Sequence, residues 1–391
     1  MHSTFEKSGN RSQRSKWIIV GSVIGLLGLI AIGVGVGVGV SKHNSSSTSS
    51  ASSSSSSSGT TDSSTNGTPP QTNPNDPSTF QKDPNLHRSF YGMAYTPAGS
   101  QVPTCNNTLE DVIQDIQVMS QLTKRVRLYG ADCNQSALVL EAIRQTKVDM
   151  QVYIANYPTP DDPTAYTRQR DEIKATIQTY GTDNIAGVTV GNEFMLNYLT
   201  DHGATDPNGA IGDQGAALII ADINDTRSVL AGMNLGKTLP VGNSDAGSYY
   251  NTKVLEASDY GMANVHPWFA NVSAQSASAW TAQFFNETNV QPSALLPNNP
   301  KMYIAETGWP TQSSDAGNAN NGVSDASETN LQVFLDTFVC QANQNSTGYF
   351  YFEFKDEPWK DVQFGGVEGY WGLFHANRTL KNLKIPNCVL D

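Results

Sequence analysis

Two glutamates lie near the ends of short, β-rich runs of the sequence. Glu193 belongs to the run VTVGNEF and Glu306 to the run YIAETGWP. Cleavage of a glycosidic bond needs two carboxyl groups, one protonated to donate to the leaving oxygen and one ionised to attack or to activate water. A lone strand-end glutamate is more often a structural ion pair or a solvated rim residue. Two of them, each beside aromatic residues, favour glycosidic chemistry.

The elements that must position these glutamates lie between residues 86 and 391. This region alternates β-rich runs with amphipathic helical stretches, which predicts a parallel sheet with crossover helices. Eight repeats indicate the α/β class and a (β/α)8 TIM barrel. A doubly wound open sheet is the alternative, but no glycine-rich nucleotide-binding motif follows any run. The predicted strands are residues 90–95, 126–129, 150–155, 187–192, 239–242, 264–268, 302–306 and 349–352.

In such a barrel the two glutamates occupy opposite sides of the ring. Glu193 ends the fourth predicted strand and Glu306 belongs to the end of the seventh. Barrel enzymes carry their chemistry at the carboxyl ends of the strands, so we expect the two carboxyl groups to face each other across a cleft. Apolar residues at helical spacing also predict a helix that begins near Thr108.

Four cysteines allow three disulfide connectivities. Cys105 and Cys133 follow the first and second strands, which would place both at the upper rim. Cys340 precedes the eighth strand and Cys388 follows the last helix, which would place both near the lower rim. We therefore predict the pairs Cys105–Cys133 and Cys340–Cys388.

The chain before the barrel has two further segments. Residues 17–40 begin with Trp17, end with Val40 and carry no charge, which is long enough for a transmembrane helix. Lysines and arginines are concentrated in residues 1–16, so we expect a cytoplasmic tail there and a type II plasma-membrane protein whose barrel is extracellular. A signal peptide is the alternative, but its apolar core would be shorter. Residues 41–85 are rich in serine, threonine and proline, and predict a disordered, O-glycosylated linker.

The composition argues against a nucleic-acid partner and against a metal site. Lysine and arginine number 24 against 36 aspartates and glutamates, a net charge of −12, which disfavours a nucleic-acid partner. The 4 cysteines and 6 histidines lack metal-ligand spacing. We therefore expect no metal and no cofactor. The sequence does not indicate an oligomeric state.

Five strings resemble glycoside hydrolase family 17, the β-1,3-glucanases of fungi and plants. They are VRLYGADC, VTVGNEF, NVHPWF, YIAETGWPT and YFEFKDEPWK, in that order along residues 126–360. The resemblance implies a retaining mechanism with Glu193 as general acid/base and Glu306 as nucleophile. It also implies a carboxyl separation of about 5–5.5 Å. Asn192 is expected to bind the sugar 2-hydroxyl.

The resemblance also suggests residues that support the catalytic pair or bind substrate. Tyr129 and Arg127 would approach the nucleophile, and His266 would hydrogen-bond within the site. The charged residues Glu357, Lys360 and Glu368 match positions that in the family lie close to the catalytic pair, which would make them substrate-binding residues. A solvated loop is the alternative for these three. Apolar sugar faces need aromatic platforms, for which the candidates are Tyr95, Tyr198, Trp268, Phe269, Trp309, Trp359 and Trp371. Trp309, three residues after the nucleophile, is the strongest of these candidates.

These expectations describe a membrane-anchored enzyme that hydrolyses β-1,3-glucan during fungal cell-wall remodelling. A β-1,3-glucanosyltransferase, or a related hydrolase for another neutral glycan, would use the same residues. A glucan-binding sensor or adhesin without catalysis is the alternative of a different class. The retained pair of glutamates argues against it.

Overall fold

A computed structural model describes residues 67–388 and residue 390 of this chain. Eight parallel strands run in chain order around a closed barrel, and β8 pairs with β1 to complete it. The predicted eight-stranded barrel is therefore confirmed. The strands are β1 Gly92–Ala94, β2 Arg125–Arg127, β3 Gln151–Asn156, β4 Ile185–Asn192, β5 Val241–Ala246, β6 Tyr260–Asn264, β7 Lys301–Thr307 and β8 Tyr349–Tyr351.

Helices connect the strands. They are α1 Leu109–Met119, α2 Gln135–Thr146, α3 Ala165–Tyr180, α4 Phe194–Asp201, α5 Ala210–Gly232, α6 Thr252–Glu256, α7 Ala274–Phe285, α8 Gln291–Ser293, α9 Glu328–Gln344 and α10 Pro358–Phe364. One π-helical turn, Asn286–Val290, joins α7 to α8. The predicted start of the first helix is confirmed, because the Thr108 side chain caps α1 by accepting a hydrogen bond from the N–H of Asp111.

Aromatic rings fill the inside of the barrel. Tyr153 from β3 packs edge-on against Tyr260 from β6 and Phe350 from β8, with ring centroids 5.5 Å apart in both pairs. Gly242 on β5 makes room for this packing, since a Cβ there would collide with the Tyr260 ring. The strands are largely buried on both faces, so the sequences of the longer strands β3, β4 and β7 are mostly apolar.

Two predicted strands were displaced along the sequence. The sixth was predicted at residues 264–268, but β6 ends at Asn264. Pro267 has no N–H to donate to a neighbouring strand, so the aromatic run after Asn264 forms a loop instead. The fifth was predicted at residues 239–242, but β5 continues to Ala246 through buried polar residues that resemble a turn in sequence.

Two disulfide bonds fix the loops and the carboxyl terminus. Cys105 pairs with Cys133, joining the loops after β1 and β2. Cys340 on α9 pairs with Cys388 in the carboxyl-terminal segment. Both predicted pairs are confirmed.

The described part of the linker is ordered and packs against the barrel. Gln117 Nε2 on α1 donates to the Pro77 carbonyl oxygen over 2.8 Å, and the N–H of Asp83 donates to Gln121 Oε1 over 2.7 Å. For residues 67–85 the prediction of disorder is therefore wrong, because this segment forms hydrogen bonds within itself and to α1 and the residues that follow it. Residues 1–66, including the predicted tail and membrane span, lie outside the described residues. Within residues 67–388, no helix has the length and apolarity needed to cross a bilayer.

Candidate active site

Polar side chains collect at the carboxyl ends of five strands. The strand register sets Asn192 of β4 beside Ser244 of β5, and Asn264 of β6 beside Glu306 of β7. Arg127, at the end of β2, reaches across the barrel to this group. Its Nη2 donates to Asn192 Oδ1 over 2.6 Å and to Ser244 Oγ over 2.8 Å. One buried guanidinium thus ties the ends of three strands together.

Two side chains, Arg127 and His266, hold the carboxyl group of Glu306 by hydrogen bonds. Arg127 Nη1 donates to Glu306 Oε1 over 3.0 Å, and His266 Nε2 lies 3.0 Å from Glu306 Oε2. Because a carboxylate only accepts, this contact places the His266 hydrogen on Nε2. Glu306 is 6% exposed, so it is nearly enclosed but still reaches the cleft. This arrangement suits an ionised carboxylate that stays in one orientation.

Glu193 occupies a different environment on the opposite side of the barrel. Its Oε1 accepts one hydrogen bond, from Asn264 Nδ2, over 3.0 Å. The residue is partly exposed and lines the cleft together with Tyr129 and Tyr157. Its carboxyl group therefore faces the open volume in which a leaving group would lie.

The two environments separate the pKa values of the two glutamates. Burial raises the pKa of Glu193 to about 7, and the charge of Glu306 adds to that rise. Burial would also raise the pKa of Glu306, but the His266 hydrogen bond and the Arg127 charge lower it to about 2. Two nearby carboxyl groups whose pKa values are pushed apart are the pattern expected of an acid and a nucleophile at one site.

The pair lies in a cleft of about 1140 Å³ that is walled by loops from both sides of the ring. The loops after β1 and β8 form one end, where Val102, Trp359 and Phe364 line the wall. The loops after β5 and β6 form the other end, with Tyr249 and Trp268. A chain running from one end to the other crosses the line that joins Glu193 to Glu306.

Most of the predicted site residues lie at this cleft. Arg127 contacts Glu306 as described, and the Arg127 guanidinium stacks 4.2 Å from the centroid of the Tyr129 ring. The Tyr129 hydroxyl has no hydrogen-bond partner of normal geometry among the described residues, although it helps to lower the pKa of Glu306. The other predicted residues that line the cleft are Asn192, His266, Trp268, Phe269, Trp359, Lys360, Glu368 and Trp371.

Apart from Arg127, four predicted substrate-binding residues are not part of the cleft wall. Trp309 is fully buried, and its Nε1 donates to the Asp325 carbonyl oxygen over 3.1 Å. Tyr95 is buried below the cleft, and its hydroxyl donates to Asp115 over 2.7 Å. Neither ring has the free face that sugar stacking requires, so both expectations are corrected.

Glu357 is the third of these residues, and it acts on a neighbour instead. Its Oε2 lies 3.0 Å from Lys360 Nζ, while Glu353 Oε2 accepts from the same ammonium over 2.7 Å. These two buried carboxyl groups raise the pKa of Lys360 and hold it charged at the cleft wall. Tyr198, also proposed as a platform, is buried against Phe194 of its own helix.

Three residues of the site were missed in the sequence. Asn264 donates to the acid candidate, Ser244 accepts from Arg127, and Tyr157 lines the cleft beside Glu193. Asn264 and Ser244 lie in strands whose positions were wrongly predicted. Tyr157 directly follows β3, and its place after a strand was the one available signal.

The described residues contain no group of three or more histidine, cysteine, aspartate or glutamate side chains arranged to hold a metal ion. Glu193, with its raised pKa, and Glu306, with its lowered pKa, are the groups of the cleft that could perform acid/base and nucleophilic chemistry.

Comparison with known proteins identifies relatives of this chain. The family described as the BtgE/BtgC glycoside hydrolase domain matches residues 92–372. The protein named "Probable glucan endo-1,3-beta-glucosidase btgC" of Aspergillus flavus is 35% identical over 319 residues, which cover 78% of this chain and 44% of the relative. "Glucan endo-1,3-beta-glucosidase btgC" of Emericella nidulans is 33% identical, over 78% of this chain and 47% of the relative. This chain thus spans less than half the length of these relatives.

Solved structures share the fold. The crystal structure of a glycoside hydrolase family 17 β-1,3-glucanosyltransferase from Rhizomucor miehei superposes with a TM-score of 0.60 at 24% identity, covering 76% of this chain and 97% of that one. An endo-laminarinase from Formosa has a TM-score of 0.60 at 20% identity, over 74% and 84% of the two chains. At these identities the similarity shows the barrel fold.

Proposed function

Because this chain belongs to the BtgE/BtgC glycoside hydrolase family, we propose that its barrel hydrolyses β-1,3-glucan by a retaining mechanism. The observation that carries the proposal is the pair of glutamates in one cleft, with the pKa of Glu193 raised to about 7 and that of Glu306 lowered to about 2. At a pH between these values Glu193 holds a proton and Glu306 a charge. That is the starting state of a double displacement.

In the first step Glu306 attacks the anomeric carbon and Glu193 gives its proton to the departing glycosidic oxygen. The carbon–oxygen bond to the leaving sugar breaks as the bond to Glu306 forms, giving a glycosyl ester. Glu306 then carries no charge, so the pKa of Glu193 falls and Glu193 can take a proton from water. The water oxygen displaces Glu306 and restores the starting state. Direct attack requires the carboxyl separation of about 5–5.5 Å predicted from the sequence.

Neighbouring side chains would serve these steps. Arg127 and His266 keep Glu306 ionised and aimed at the anomeric carbon, and Asn192 would bind the sugar 2-hydroxyl. Lys360 and Glu368 line the same cleft and would bind further sugar hydroxyls. Trp359 and Phe364 from the loop after β8, and Phe269 and Trp280 from the region after β6, line the cleft and are partly or largely exposed. Their rings would provide platforms for sugar faces, which supports internal cleavage of a long chain.

The β-1,3 linkage is proposed from the names of the relatives. If a sugar hydroxyl instead of water displaced Glu306 in the second step, the same enzyme would be a transferase. Both points can be tested by incubating the protein with linear β-1,3-glucan oligosaccharides and measuring the lengths of the products. We expect shorter oligosaccharides from the wild-type ectodomain and none from an inactive Glu306 variant. Products longer than the substrate would indicate transfer, and an intact substrate would contradict the proposed function.

We also propose that residues 17–40 anchor the protein in the plasma membrane and that the barrel faces a glucan-containing wall. The support is the uncharged length of this segment and the positive charge before it. Protease added to intact protoplasts is expected to remove the barrel and to leave a tag on residue 1 protected. Protection of the barrel would contradict this orientation.

A further inference from the structure

The chain passes from β4 to α4 through a single residue, Glu193. β4 ends at Asn192 and α4 begins at Phe194. Glu193 has φ 55° and ψ 30°, in the left-handed region that residues other than glycine seldom adopt. It stands at the position before the first helical residue, where a polar side chain normally caps the helix. Here the side chain turns to the cleft and accepts from Asn264 instead.

The acceptor that α4 needs comes from the neighbouring strand. Asp245 Oδ2 accepts from the N–H of Met195 over 2.8 Å, and Asp245 Oδ1 accepts from the N–H of Leu196 over 3.3 Å. These are the second and third residues of α4, whose N–H groups an N-cap residue ordinarily satisfies. The N–H of Ala246 also donates to Asp245 Oδ1 over 2.9 Å.

The same stretch of β5 holds the backbone of Glu193 itself. The Glu193 N–H donates to the Ser244 carbonyl oxygen over 3.3 Å. Ser244 and Asp245 are both fully buried, so the contact is shielded from water. The backbone N–H groups of Glu193, Met195 and Leu196 therefore all donate to two consecutive residues of one strand.

We propose that Asp245 is a positioning residue for the general acid/base. Its carboxyl group caps α4 in place of Glu193, and this leaves the Glu193 side chain free to face the scissile linkage. Both carboxyl oxygens accept from backbone N–H groups, so an asparagine would turn its own NH2 group toward at least one of these donors. The inference rests on the proposed function, because it assigns proton transfer to Glu193.

A displaced Glu193 affects only those steps that need its proton. Cleavage of a glucan linkage needs the proton, because a sugar alkoxide leaves poorly. Release of 2,4-dinitrophenolate from an activated aryl β-laminaribioside does not. The kcat/KM value depends only on the steps up to formation of the glycosyl ester. Comparing kcat/KM for the two substrates therefore shows how much the general acid contributes to cleavage.

We expect Asp245→Asn to lower kcat/KM for laminaritetraose by about 100-fold. For the dinitrophenyl glycoside we expect less than about a threefold change. Hydrogen exchange at the amides of Met195 and Leu196 should accelerate in the variant. Ser327→Ala is the matched control, since Ser327 caps α9 by accepting from the N–H of Asn330 over 3.2 Å, away from the cleft. It should leave both kcat/KM values unchanged.

An equal loss on both substrates, or no loss on either, would overturn the proposal. Asp245→Thr, which keeps one acceptor oxygen, provides a second variant of similar size. If neither variant folds, Asp245 serves the fold rather than Glu193 and the proposal is refuted. Unprotected Met195 and Leu196 amides in the wild-type protein would also refute it, whatever the activity. Absence of wild-type hydrolysis would instead refute the proposed function alone.

Discussion

Replacement of Glu306 by alanine is expected to abolish glucan hydrolysis. The variant loses the group proposed to attack the anomeric carbon, and within residues 67–388 no neighbouring side chain offers a second carboxylate held as Glu306 is by Arg127 and His266. Loss of a nucleophile that acts with a partner lowers kcat by about 10⁴-fold or more. The measurement is the rate of reducing-end release from linear β-1,3-glucan.

A control variant and a rescue experiment separate loss of chemistry from loss of folding in the Glu306→Ala variant. Without its counter-charge Arg127 stays buried, so a lower Tm is expected and the assay temperature must lie below it. Glu141→Gln, which removes a surface ion pair with Arg144 on α2, should keep full activity. Added azide should enter the space left by Glu306 and give an α-glycosyl azide from the activated aryl glycoside. Unchanged hydrolysis would remove Glu306 from the mechanism.

Replacement of Glu193 by alanine is expected to produce the second largest effect, and one that depends on the leaving group. Loss of the general acid should lower kcat/KM for glucan by about 10²–10⁴-fold. The kcat/KM for the dinitrophenyl glycoside should change little, and the glycosyl ester should accumulate because its base is missing. Azide, which needs no base, should release it as a β-glycosyl azide. An α-glycosyl azide from this variant would mean that the two roles are reversed.

The pH dependence follows from the same pair of groups. Activity requires the protonated form of Glu193, so kcat/KM should fall as pH rises through its pKa of about 7. It also requires ionised Glu306, whose pKa of about 2 places the acidic loss far below neutrality. On the activated glycoside, whose cleavage needs no proton from Glu193, the alkaline limb should be absent from both the wild-type protein and the Glu193 variant. An alkaline limb that persists there would assign that titration to another group.

The fold and the two catalytic candidates could be read from the sequence for a physical reason. A strand that is buried on both faces tends to be apolar in sequence. β4 and β7 are the two longest strands of the barrel, so their apolar runs are the easiest to recognise. One charged residue at the end of such a run can be a structural ion pair, but two of them on opposite strands, within strings that resemble a glycosidase family, favour catalysis. Glu193 and Glu306 therefore stood out without any structure.

The residues around the two glutamates were harder to predict, because the local sequence pattern suggests a different position from the one that tertiary packing gives them. In β5 the residues Asn243, Ser244 and Asp245 resemble a turn, yet all three are buried and hydrogen-bonded within the barrel. Trp309 follows the nucleophile by three residues, but its indole packs edge-on against Trp268 with the ring centroids 5.3 Å apart. Only packing decides whether such an aromatic ring meets a ligand or the core.

The site concentrates polar groups that are costly to bury, and its hydrogen bonds offset that cost. Arg127 is almost completely buried, but its guanidinium donates to Glu306, Asn192 and Ser244. A buried charge held in this way keeps its partner in one place and one ionisation state. The same network therefore accounts both for the orientation of the nucleophile and for its low pKa.

The stereochemistry of the first product tests the central claim most directly. Proton NMR of linear β-1,3-glucan during the first minutes of hydrolysis distinguishes the newly formed anomer before mutarotation mixes the two. Double displacement through Glu306 predicts that the β anomer appears first. Initial formation of the α anomer would show a single displacement by water, and would contradict the roles proposed for both glutamates.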